Sequence, residues 1–135
     1  MSAEAVLAAF QRFVEALNHS RDVAALGAAV ADAVRVERHG PGERGAAPVV
    51  ETFDGVAEVA RWFARTPEAV RFSLAGAPAP EPDGDGAGAA WVVEYAIAAG
   101  EFHNGGIWFA RLAADGRIAF LSHHPFALRD EPPGR

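Results

Sequence analysis

Cysteine is missing from the 135 residues, and so is lysine. Without thiols there is neither a disulfide framework nor a thiolate metal site, so nothing in the chain demands an oxidising compartment, and the expected location is cytoplasmic. No apolar run approaches the length of a membrane span. The first residues set Glu4 among alternating apolar positions, where a secretion signal would place a basic region and a continuous apolar block. Twelve basic residues, all arginine, stand against 18 acidic ones, a formal charge of −6. A phosphate backbone needs clustered cations, so neither nucleic acid nor a membrane is an expected partner. A chain of this size still buries roughly 68% of the surface it exposes when unfolded, enough for a core without covalent staples.

What the chain does contain is a sharply patterned first third. Val6, Phe10, Phe13, Val14 and Leu17 recur on one face of a helix. Asn18, His19 and Ser20 interrupt it, and Asp22 is placed to cap a second helix carrying Val23, Leu26 and Val30. Val34 and Val36 then switch to the two-residue period of a strand. Residues 40–47 (GPGERGAA) read as a loop and 48–53 (PVVETF) as a second strand. Asp54 can cap a third helix, in which Val56, Val59, Ala60 and Phe63 keep helical spacing until Thr66-Pro67 stops it. Extended chain resumes over 70–79, and a connection rich in Pro, Asp and Gly follows over 81–89. Trp91, Val93, Tyr95 and Ile97 alternate as in a half-buried strand. A turn at Ala99-Gly100 leads to a strand over 102–113, and Asp115-Gly116 signals a hairpin into the last strand, 118–128. Residues 1–128 are expected to form a single domain and 129–135 a frayed tail.

Three helices with five or six largely antiparallel strands make an α+β layer with helices on one sheet face. This order, with QRFVEALN (11–18), GVAEVARWF (55–63) and DGRIAFL (115–121), resembles the nuclear transport factor 2-like superfamily, in particular ketosteroid isomerases and SnoaL-like polyketide cyclases. The resemblance runs over roughly residues 7–126. It implies a cone-shaped, curved, mixed but mostly antiparallel sheet whose concave face is covered by the three helices, with an apolar pocket open at one end. Ketosteroid isomerase chemistry does not come with it. That family sets a donor tyrosine in a context like QRYVAALN, where this chain has Phe13, and a base aspartate in a context like TVED, where RVER ends on Arg38. Its protonated aspartate, in a context like IDHF, matches Trp108 in IWFA. The pocket aspartate of SnoaL-type cyclases has no counterpart here. Of the Asp-Arg-Asp set of limonene epoxide hydrolases, Arg38 alone could stand in for a member. Scytalone dehydratases use paired histidines, which makes histidine the residue type to follow.

Histidine titrates nearest neutrality and is the readiest general acid or base. Leu121, His123 and Pro125 share one face of the last strand and Phe120, Ser122 and His124 the other; by the resemblance the first set faces the cone. His123 is therefore the candidate acid/base, with a competing reading as a polar residue hydrogen-bonded to backbone at the mouth of an apolar cavity. His124 is expected to point outward toward solvent or a partner subunit, and His103 and His39 away from the pocket. Because His123 and His124 take opposite faces they cannot share an ion, and DGDG at 83–86 lacks the other ligands of a calcium loop, so no metal is expected. Arg38 either clamps a carboxylate or enolate oxygen or forms a rim ion pair with Glu37, Glu51 or Asp54. Phe13, Trp62, Phe63, Tyr95 and Trp108 are the expected walls and Asn104 a further polar contact. The leading expectation is a domain enclosing a small apolar organic molecule. If it is an enzyme, the reaction is a cofactor-independent isomerisation, cyclisation or dehydration, with His123 as acid/base and Arg38 or Asn104 steadying an oxyanion. The rival is a non-catalytic ligand-binding or dimerisation module whose pocket is partly filled by its own aromatics. Phe109 and Phe120 fall outward on adjacent strands, which points to a homodimer on the outer sheet face.

Overall fold

The computed structural model describes residues 2–19, 21–41, 47–81 and 90–127, so most of the 40–47 loop and the 81–89 connection, and all of the tail, lie outside the described residues. Among the described residues are three helices, α1 (Ala3–His19), α2 (Val23–Gly27) and α3 (Val56–Ala64). Seven strands accompany them: β1 (Val30–His39), β2 (Val49–Asp54), β3 (Arg71–Leu74), β4 (Ala79–Pro80), β5 (Ala90–Ala99), β6 (Phe102–Leu112) and β7 (Ile118–Pro125). They form one curved, mostly antiparallel sheet in the order β2-β1-β7-β6-β5-β3, with β4 added to β5 and a parallel β1–β7 pair. This is the expected α+β architecture. No helix among the described residues is long and apolar enough to cross a membrane.

The apolar stripe of α1 drives its docking on the concave face. Val6, Ala9, Phe10, Phe13, Ala16 and Leu17 are all buried, and Phe10 and Phe13 meet the Trp108 ring at centroid distances of 6.4 and 5.1 Å. Full burial of each large apolar side chain contributes about 1.5–3 kcal/mol. The interruption after α1 is a clasp. Asn18 Nδ2 donates to Phe72 O and its Oδ1 accepts from Phe72 N, both at 2.7 Å, which holds the helix end on β3. Arg21, at φ 56°, takes a left-handed conformation that is unfavourable for a residue with a side chain. Its guanidinium offsets this by donating to the carbonyls of Leu17, Thr66 (2.8 Å), Pro67 (3.2 Å) and Val70 (2.7 Å), tying the segment after α3 to α1.

The extended chain expected over 70–79 is two short strands, β3 and β4, both paired with β5, and three further boundaries differ from the sequence expectations by more than a residue. Asp22 does cap α2, accepting from Ala25 N at 2.8 Å, but the helix ends at Gly27, and Val30 opens β1 instead of closing the helix. The reason is tertiary: Ala29 O accepts from Ile118 N at 3.0 Å, so β7 recruits the chain into the sheet. Asp54 ends β2 and does not cap α3. Gly55 takes the cap position at φ 86°, its N–H donating to Val34 O at 2.8 Å, while Glu58 reaches back to accept from Asp54 N at 2.8 Å. The last strand stops at Pro125, short of residue 128.

Candidate functional site

Register places the site. Val93 on β5 pairs with Trp108 on β6, Trp108 with His123 on β7, His123 with Arg38 on β1, and Arg38 with Glu51 on β2, so these side chains form one row across the concave face. The next row is Tyr95, Gly106 and Pro125. Gly106 has no side chain between Tyr95 and His123, and a Cβ there would lie 2.6 Å from Tyr95 Oη and 2.8 Å from Pro125 Cα. That gap lets the phenol lie across β6 and reach the imidazole at 3.1 Å.

Trp108 Nε1 lies 3.0 Å from the other ring nitrogen, His123 Nδ1. An indole N–H can only donate, so Nδ1 must offer its lone pair, and the neutral ring then carries its proton on Nε2. Nε2–H donates to Tyr95 Oη, which leaves the phenol's own proton to point elsewhere. A doubly protonated ring would set Nδ1–H against the indole N–H. The environment agrees: burial first, then the charges of His124, Arg38 and His39, lower the His123 pKa from 6.5 to about 3. Burial also raises the Tyr95 pKa, so the phenol stays protonated. Trp108 stacks on Tyr95 at 4.4 Å and 17°, and Trp62 meets His123 edge-on at 4.9 Å.

Trp62, Tyr95 and His123 border a cavity of about 370 Å³. Of the residues expected at the site, Arg38, Trp62, Phe63, Tyr95, Asn104 and His123 line it. Phe13 and Trp108 do not: both are fully buried behind the wall, where Phe13 packs edge-on against Phe63 and Trp108 at 5.8 and 5.1 Å. Aromatics of the chain itself thus fill the space behind the cavity, whose lining includes Arg38 and Arg65. There Arg38 Nε donates to Glu51 Oε1 at 2.8 Å, and Arg65 Nη2 donates to the same oxygen at 2.9 Å. Of the two roles open to Arg38, the ion pair is the one adopted. The Arg65 and Arg38 hydrogen bonds hold the Glu51 carboxyl below its usual range. Asn104 donates to Phe126 O at 3.4 Å.

His124 departs from expectation. It does take the face opposite His123, but it is buried, stacked on His39 at 4.0 Å with Nε2 against Ser122 Oγ, and does not reach solvent. The irregular register between Arg38 and His39 lets His39 lean over it. His103 is exposed. Among the described residues, no three His, Asp or Glu side chains come together as metal ligands would.

The sequence pattern of the SnoaL-like domain matches residues 10–121. The chain belongs to the SnoaL-like domain family. Several solved structures share the fold. A protein of unknown function with a cystatin-like fold from Methylobium petroleophilum PM1 aligns with TM-score 0.68 and 15% identity over 100% of this chain and 84% of that one. A proposed isomerase of the SnoaL-like family from Agrobacterium tumefaciens str. C58 gives TM-score 0.67 and 20% identity over 92% and 99%. A de novo designed protein with a curved β-sheet gives 0.65 and 17% over 93% and 88%. That a designed chain aligns as well as natural ones shows that likeness at such identities carries the fold and not the chemistry. No curated protein matches the chain in sequence.

Within this SnoaL-like cone, sequence reasoning missed Arg65, Thr66, Pro67, Val70, Phe72, Ile97 and Gly105 as cavity-lining residues, while Pro125, expected on the face turned to the cone, does line it. One signal was available. Two glycines inside a strand, Gly105 and Gly106, mark a close approach of other groups, and a Cβ on Gly105 would lie 2.4 Å from Tyr95 O. The segment 65–70 carried no comparable mark, because it is held in place by Arg21 from a distant turn.

Proposed function

We propose that this SnoaL-like domain binds a small, mainly apolar organic molecule in the cavity between α3, the 65–70 segment and the β5–β7 face. The observation that carries the reading is the cavity itself: about 370 Å³, walled by Trp62, Phe63, Phe72 and Ile97, with Tyr95 and Asn104 among its polar lining residues. The pair of arginines around the single Glu51 leaves the mouth electropositive, which suits a ligand that is neutral or carries a negative head. Acid/base catalysis by His123 would require the Nδ1 lone pair that Trp108 occupies, so geometry favours binding and polarisation over proton abstraction by this ring. The partner in solution is a second copy. Phe109 and Phe120, edge-to-face at 6.3 Å on the outer face of β6 and β7, supply its apolar centre.

Ligand-observed NMR with a panel of small aromatic and alicyclic compounds tests the cavity. Ile97→Trp fills the space from one wall and should abolish binding while leaving the thermal transition within a few degrees of wild type. Binding that survives this substitution would place the ligand elsewhere and remove the basis of the reading.

A further inference from the structure

The hydrogen-bond chain above the cavity has a direction. It begins at Trp108 Nε1–H, which is fully buried and can only donate; it passes through His123, whose Nδ1 accepts at 3.0 Å and whose Nε2–H donates; it arrives at Tyr95 Oη at 3.1 Å. Every link is forced by the first, because reversing any bond would leave two N–H groups facing each other or require an imidazole with no proton. Among the described residues His123 is the one hydrogen-bond partner of Tyr95 Oη, and that oxygen is already used as an acceptor. The remaining phenol proton belongs to a side chain only 2% exposed that borders the cavity. A buried donor of this kind demands an acceptor.

We propose that Tyr95 presents its hydroxyl proton to an acceptor oxygen of the bound molecule, a ketone, ester or enolate oxygen, with Trp108 and His123 as positioning residues that fix its direction. This rests on the cavity being a small-molecule site and names the class of molecule it selects: an apolar body bearing a carbonyl. The protonated phenol favours electron density gathering on that oxygen, as an oxyanion-stabilising donor would. His123 then acts by holding its tautomer, and a change of that tautomer would turn the phenol away from the ligand.

Two measurements on the intact chain decide it. Nitrogen-15 NMR of the free protein at pH 7 should show His123 with a bare Nδ1 and a protonated Nε2; the opposite tautomer or a charged ring overturns the proposal. Quenching of tryptophan fluorescence then compares 2-acetylnaphthalene with 2-isopropenylnaphthalene, in which a methylene replaces the carbonyl oxygen at nearly constant shape. The ketone should bind about tenfold more tightly, since the alkene leaves the donor unpaired. Its infrared carbonyl band should fall in frequency on binding, and Tyr95→Phe should remove both the preference and the band shift while still binding the alkene. Equal binding of the two probes to the wild type, or a band shift that persists in Tyr95→Phe, overturns the donor assignment and leaves the cavity reading standing. Failure of both probes to bind overturns the cavity reading and this inference with it.

Discussion

The His123 ring should make the fold acid-sensitive, and replacing it by glutamine should remove that sensitivity. Its pKa falls from 6.5 to about 3 on folding, because burial desolvates the charged ring and the charges of His124, Arg38 and His39 oppose it. The unfolded chain therefore takes up a proton near pH 6.5 that the folded chain refuses until about pH 3. Between those values the unfolded state binds one more proton, so stability rises with pH. It is complete above 6.5 and is lost on acidification by about 1.4 kcal/mol per pH unit. From pH 7 to pH 5 the loss from this residue is about 2 kcal/mol. His123→Gln keeps an acceptor for Trp108 and a donor for Tyr95 but cannot titrate. Urea unfolding at pH 5, 6 and 7 should show the wild type losing more stability on acidification than the variant, by this amount between pH 7 and pH 5. Parallel pH profiles for the two proteins would show that His123 accepts its proton in the folded state, and the tautomer argument would fail.

Arg21→Ala removes a charged donor from the carbonyls of Thr66, Pro67 and Val70, so it should lower stability by about 2–3 kcal/mol in urea titrations; a change near zero would mean the 65–70 segment is held by other contacts. Gly106→Ala places a methyl against Tyr95 Oη and should shift the Tyr95 and His123 resonances as well as the melting temperature, whereas an unperturbed ring pair would contradict the register drawn above. A standard Δ5-3-ketosteroid should not be isomerised at a useful rate: Phe13 and Trp108 are sealed in the core, Arg38 is paired with Glu51, and absence of the base alone forfeits ~10²–10⁴-fold. Light scattering should return twice the chain mass, and Phe109→Glu should halve it; a wild-type monomer at every micromolar concentration would end the dimer proposal.

How far the sequence could be read depended on how local each determinant was. The inward faces of β5 and β7 were legible, because alternation alone puts Tyr95 with Val93 and His123 with Leu121. The stripe of α1 was legible for the same reason at helical period. Val30 misled, since its spacing fits a helix and only the hydrogen bond from Ile118 to Ala29 draws the chain into the sheet. Asp54 misled likewise, being an ordinary cap residue beside a glycine that occupies a conformation other residues avoid. Arg38 had two open roles, and the choice between them was made by the β1–β2 register, which sets Glu51 opposite it.

The chemistry of His123 was the least legible part, and the reason is physical. A histidine on an apolar face reads as a base because its type suggests one; what a ring can do is decided by which partner meets which nitrogen. Here that partner is an indole one strand away, whose N–H can serve only as a donor, and the outcome passes on to a phenol two strands away across a glycine. On the proposed reading the donor facing the cavity is then not the residue that sequence type nominates but the single tyrosine of the chain. Trp108, expected in the cavity wall and found fully buried behind it, fixes the tautomer of His123 without lining the cavity.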